Sequence, residues 1–117
     1  MEDSLIEILS GFGVPVIRQG SLAPDEVYPP TFFTFWNNEE TGESYYDNET
    51  KSVFYSFDVN VYSEDVEKTY SFLKDARAAL KASGWNCPER GHDVASDEIT
   101  HTGRGFTATF LEMNPTD

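Results

Sequence analysis

The sequence predicts an α+β domain: an antiparallel or mixed β-sheet of about five strands with two helices packed on it, in the order α-β-β-β-α-β-β. Three observations predict it. Residues 52–62 alternate without a break, with Val53, Tyr55, Phe57, Val59 and Val61 against Phe54, Ser56, Asp58, Asn60 and Tyr62, which is the period of a strand. Residues 63–83 instead repeat with the period of a helix, through Val66, Tyr70, Leu73, Arg77 and Leu80. Residues 104–112 return to alternation, with Phe106, Ala108 and Phe110 facing one way and Thr107, Thr109 and Leu111 the other. At 117 residues the chain has the length of a single domain with one core.

The other elements follow from punctuation. Residues 3–10 read as a short amphipathic helix with Leu5, Ile6 and Leu9 as its stripe, capped by Asp3 or Ser4 and ended by Gly11 and Gly13. Residues 14–18 read as a short strand that Pro15 confines to a sheet edge, because proline has no N–H for a ladder. Residues 20–30 form a loop marked by Pro24, Pro29 and Pro30. Residues 31–36 carry Phe32, Phe33, Phe35 and Trp36 on both faces, which fits a central strand. Residues 37–51 are an acidic, polar connector with a turn position at Gly42. The long helix takes Ser63 as its N-cap, gathers Glu64, Asp65 and Glu67 in its first turn, widens its apolar face with Phe72, Ala76 and Ala79, and stops at Gly84. Beyond it, residues 85–87 and 92–95 are short extended stretches.

Composition narrows the function. Seventeen residues are Phe, Trp or Tyr. Each ring buries on the order of 150–250 Å², so any that the core cannot hold belong at an interface. A lone Cys87 rules out an intrachain disulfide and fits a reducing compartment. The first ten residues lack the basic start and apolar run of a signal peptide, and no stretch has the apolar length of a membrane span. A formal charge of −13 argues against nucleic acid, whose phosphates need a basic face. That charge is uneven. Residues 22–67 hold eleven acids and one base, Lys51, whereas residues 68–117 hold seven acids and six bases. The acidic stretch either keeps the chain solvated or steers it to a basic partner.

No catalytic motif emerges. His92, Asp93, Asp97, Glu98 and His101 are the densest group of ligand-type residues, but the segment lacks a helical period that would bring them together. Gly103-Arg104-Gly105 leads into a strand and not a helix, so it reads as a turn using positive φ. Cys87 has no activating neighbour in sequence, and the carboxylates sit in polar connectors where nothing tunes them. The residues point to a non-enzymatic protein with no cofactor and no metal. The exposed-looking acids and tyrosines of the connector, Glu39, Glu40, Glu43, Tyr45, Tyr46 and Asp47, are the expected interface.

Three stretches carry a resemblance. They are Pro30-Thr31-Phe32-Phe33-Thr34-Phe35-Trp36-Asn37, then Tyr55-Ser56-Phe57-Asp58-Val59-Asn60-Val61-Tyr62-Ser63, then residues 91–106, from Gly91-His92-Asp93-Val94 to Gly103-Arg104-Gly105-Phe106. Their order, with a helix between the second and third, resembles the small tail terminator or tail completion proteins of long-tailed bacteriophages and prophages, of which the lambda tail terminator is the best-known in architecture. The resemblance spans about residues 30–112. It implies a structural protein that caps the tail tube as a six-fold ring and joins it to the head connector. Its partners would be copies of itself, the tail tube protein and a head completion or connector protein, with no direct nucleic acid and no membrane. It would reside in the host bacterial cytoplasm during assembly and then at the head–tail junction of the virion. The alternative is a small non-catalytic regulatory or protein-binding α+β module with an acidic docking face.

Overall fold

Pro15 decides where the first strand lies. The computed structural model describes residues 1–21, 27–44 and 50–113. In it α1 (Glu2–Ser10) leads to β1 (Val16–Arg18), followed by β2 (Thr31–Ser44), β3 (Thr50–Ser63), α2 (Val66–Ala82), β4 (His92–Val94) and β5 (Thr102–Met113). This is the expected α-β-β-β-α-β-β order. The five strands form one sheet in the order β1-β2-β3-β5-β4. Pro15, without an N–H, serves the edge as an acceptor: its carbonyl receives the Phe33 N–H at 2.9 Å. β1 runs parallel to β2 and the remaining pairs are antiparallel, so the sheet is mixed.

One face of the sheet is covered by both helices. Phe33, Phe35, Phe57, Val59, Val61, Phe106 and Ala108 meet Leu5 and Leu9 of α1 and Leu73, Ala76 and Leu80 of α2 in a single core. Burying each large side chain contributes roughly 1.5–3 kcal/mol. Two ring clusters tie the layers. Phe12, Phe33 and Phe72 join the end of α1 to β2 and α2, with centroids 6.0–6.5 Å apart. Trp85 lies between Phe57 at 5.9 Å and Phe110 at 5.3 Å. The opposite face carries its own cluster, in which Phe32 stacks on Tyr62 at 5.4 Å and meets Tyr28 and His101 edge-on. The rings are therefore spent on both faces. Among the described residues, only Trp36 (46% exposed) and Tyr70 (55%) are exposed aromatics, so the expected surplus for an interface is small.

The structure corrects five expectations. Residues 37–44, read as connector, continue β2: Glu40 pairs with Tyr55, Gly42 with Val53 and Glu43 with Ser52, after a bulge between Asn37 and Glu39. Pairing with a strongly alternating partner outweighs the weak strand propensity of acids and glycine. The cap of α2 is Asp65, whose carboxylate accepts from the Glu67 N–H at 3.0 Å, while the Ser63 hydroxyl accepts from the Asp65 N–H one step earlier. The buried stripe of α2 is accordingly Thr69, Leu73, Ala76 and Leu80, and Val66 and Tyr70 face solvent. Residues 85–87 make only one bridge to the sheet, Asn86 to Thr109. Gly103 and Gly105 are not in a turn but within β5. A Cβ at Gly103 would strike the Tyr62 ring and Val94, and one at Gly105 would overlap the Asn60 amide. Close approach, and not positive φ, demands these glycines.

Candidate interaction surface

β2 and β3 each have 14 residues, a length of roughly 45 Å at strand rise, and α2 with 17 residues spans only about 25 Å. α2 starts beside the end of β3 and runs back antiparallel to it. The chain leaving α2 places Trp85 at the level of Phe57 and Phe110. Beyond that level the sheet continues without helix as a three-stranded arm of β2, β3 and β5, which gives the molecule a 53 Å long axis against 29 and 22 Å.

Among the described residues, both long edges of this arm are open beyond short covers. β1 pairs with β2 only from Phe33 to Phe35, leaving the edge from Trp36 to Ser44. β4 pairs with β5 only from Gly103 to Gly105. Past it, the Thr109 N–H donates to the Asn86 carbonyl at 2.9 Å and the Thr107 N–H to Glu89 Oε1 at 3.0 Å, after which Leu111 and Met113 are exposed. Open edges of this kind template pairing with another chain.

Of the six expected interface residues, three lie among the described residues. Glu39 and Glu40 are exposed on the β2 edge, Glu39 accepting from the Thr41 hydroxyl at 2.8 Å, and Glu43 follows on the same strand. Their setting is an edge strand and not a loop. Tyr45, Tyr46 and Asp47 lie outside the described residues.

No protein-family model matches the chain, and no curated protein matches its sequence. The geometry therefore carries the functional reading.

A second charged surface lies on the other side of the sheet. Tyr70, Leu73, Lys74, Arg77, Lys81, Arg90 and Arg104 line a groove of about 700 Å³ between α2 and the β4–β5 edge. Five of the chain's eight lysines and arginines converge there. Arg104, 16% exposed, lies with its guanidinium carbon 4.3 Å from the centre of the Tyr70 ring and donates to Asp93 Oδ1 at 2.7 Å. Arg77 donates through one terminal nitrogen to the Cys87 carbonyl at 2.9 Å. The Nε atoms of both arginines are buried without a partner. Lys74, Arg77 and Lys81 all come from α2. Their i, i+3, i+7 spacing already placed them on one face. Arg90 and Arg104 join them only because β4 folds back on β5.

The residues of chemical type are held apart. His92 lies 3.5 Å from Glu89, Asp93 serves Arg104, and His101 is nearly buried with Nε2 2.8 Å from the Pro29 carbonyl and Nδ1 2.9 Å from the Thr100 hydroxyl. Among the described residues no three His, Cys, Asp or Glu side chains converge. Cys87 is 1% exposed, and burial pushes its thiol above the ordinary value while Arg77 and Lys81 pull weakly the other way. A reactive thiol needs the reverse setting. On the uncovered face, a cavity of about 190 Å³ is bordered by Ile17, Gln19, Tyr28, Thr34, Tyr62 and Asp97. Burial, then the nearby Asp97 carboxylate, raises the Tyr62 phenol. The Thr34 hydroxyl opposes this by proximity, although it makes no well-aligned hydrogen bond. Among the described residues no helix is long and apolar enough to cross a membrane.

Proposed function

We propose that this chain is a structural assembly subunit that caps the tail tube of a long-tailed phage or prophage as a six-fold ring and joins it to the head connector. The observation that carries the reading is the arm: a three-stranded sheet extending past its helices, with edges that are open among the described residues on both sides. A ring of identical subunits needs two different surfaces on each copy that fit each other and close by rotation. An arm with two unlike edges supplies such surfaces, whereas an enzyme would be expected to gather polar groups into an enclosed site. The resemblance of residues 30–112 names the tail terminator class, and the α-β-β-β-α-β-β order is compatible with it.

The test uses tail tube protein encoded in the same genome. Tubes polymerised with this chain are expected to stop at uniform ends bearing a ring in negative-stain images. Tubes that keep growing, with no added density at their ends, would overturn the reading. Tight binding by a monomer to a basic protein unrelated to tails would favour the regulatory module instead.

A further inference from the structure

We infer that the acidic β2 edge of one copy docks into the basic α2 groove of the next, so that a salt-sensitive, head-to-tail contact joins neighbouring subunits. The inference rests on the ring reading above and names the contact that would build it.

Three observations carry it. The first is charge segregation. In a chain of net charge −13, five of eight bases line one groove, while Glu39, Glu40 and Glu43 follow one another on the opposite sheet edge. The second is that the groove is unsatisfied. Asp93 is the carboxylate paired to Arg104, and it is itself 84% exposed. Among the described residues the exposed Lys74, Lys81 and Arg90 make no ion pair, and a guanidinium fork favours a planar carboxylate. The third is that one molecule cannot satisfy itself. The strand order puts β2 toward one side of the sheet and the β4–β5 edge on the other. Along the strands, Glu40 is level with Tyr55 and Arg104 with Val61, about 20 Å apart at strand rise. Paired strands cannot bend across that distance, so the β2 acids can reach such a groove only on a second copy. Surfaces on opposite sides of one body make a heterologous contact, the kind that builds a ring when its rotation closes.

The test is a charge swap read by sedimentation velocity. One variant reverses the edge (E39K/E40K/E43K). The other reverses the groove at its solvent-facing bases (K74E/K81E/R90E), leaving Arg77 and Arg104 in place. Circular dichroism and thermal unfolding establish that both fold. Wild-type association is expected at low salt and to weaken steeply at about 0.5 M salt, where screening falls to a few ångströms. Each variant alone should associate at least tenfold more weakly. Mixed together they should recover association, because each variant's edge then matches the other's groove. Both remain net acidic, so bulk charge opposes this recovery and only matched surfaces produce it. Variants that associate like wild type, a mixture that stays dissociated, or a wild type that never self-associates would each overturn the contact. Capping of tail tubes by the same variants is scored separately. Intact capping with either reversal removes this contact and leaves the tail reading standing, and loss of capping by wild type removes the tail reading itself.

Discussion

The two halves of the sheet are built from the same three strands and differ in what covers them. In the half near Ser63, β2, β3 and β5 send Phe33, Phe35, Phe57, Val61 and Phe106 into a helix-covered core. In the arm the same strands present Glu39, Glu40, Thr41 and Leu111 to solvent. Backbone pairing is continuous through both. The difference teaches that strand identity in the arm comes from β3 and its ladder, while stability comes from the covered half.

The sharpest test of that division compares two phenylalanines on adjacent parts of β3. Phe57→Ala leaves a cavity beneath Trp85 and α2 and is expected to cost about 3–5 kcal/mol in denaturant unfolding. Phe54→Ala, on the uncovered face opposite Thr41 and Leu111, should cost about 1 kcal/mol. Equal losses would break the comparison. Next in size is Gly105→Val, which must push the Asn60 amide off β5 and is expected to cost about 1–3 kcal/mol, with the fold retained. A smaller effect is a pH dependence at the uncovered face. Burial raises the Tyr62 phenol in the folded chain, so the folded state holds that proton more tightly than the unfolded one. This contribution is fully present below the ordinary phenol value of about 10 and is lost as pH rises through the folded value. Tyr62→Phe should flatten the alkaline fall in stability measured from about pH 8 to about pH 11. The smallest effect on folding belongs to E39Q/E40Q/E43Q. Unfolding should shift by no more than about 0.5 kcal/mol while assembly weakens, and unchanged assembly would mean that the acids serve solubility alone.

The sequence showed the element order because each element carries its own signal: Pro15 at the edge, unbroken alternation in β3, the helical period in α2 and Gly84 after it, at φ +95°. It hid the arm. Residues 37–44 look like a polar loop because successive residues from Asn38 to Gly42 all meet water, which removes the apolar period that marks a strand. It placed Leu73, Ala76 and Leu80 of α2 inward correctly and missed by one position at Tyr70. Tyr70 shares the helical spacing but spends its ring on Arg104, and Thr69 goes inward instead, its hydroxyl donating to the Val66 carbonyl at 2.6 Å. The candidate interface was half legible: Glu39, Glu40 and Glu43 stand out as acids in any reading, but the groove needs β4 to bring Arg90 and Arg104 to α2.

The long ladder of the arm has a mechanical consequence. β3 is bonded on one side to β2 and on the other to β5, with hydrogen bonds perpendicular to the strands from Ser63 and Thr102 out to Ser52 and Met113. A pull along the strand axis loads those bonds together, like a lap joint, and none can yield alone. A pull across the edge opens them one at a time, like a zip. A subunit held by the tip of its arm would therefore resist tension directed along the molecule's 53 Å axis far better than a force peeling β2 away.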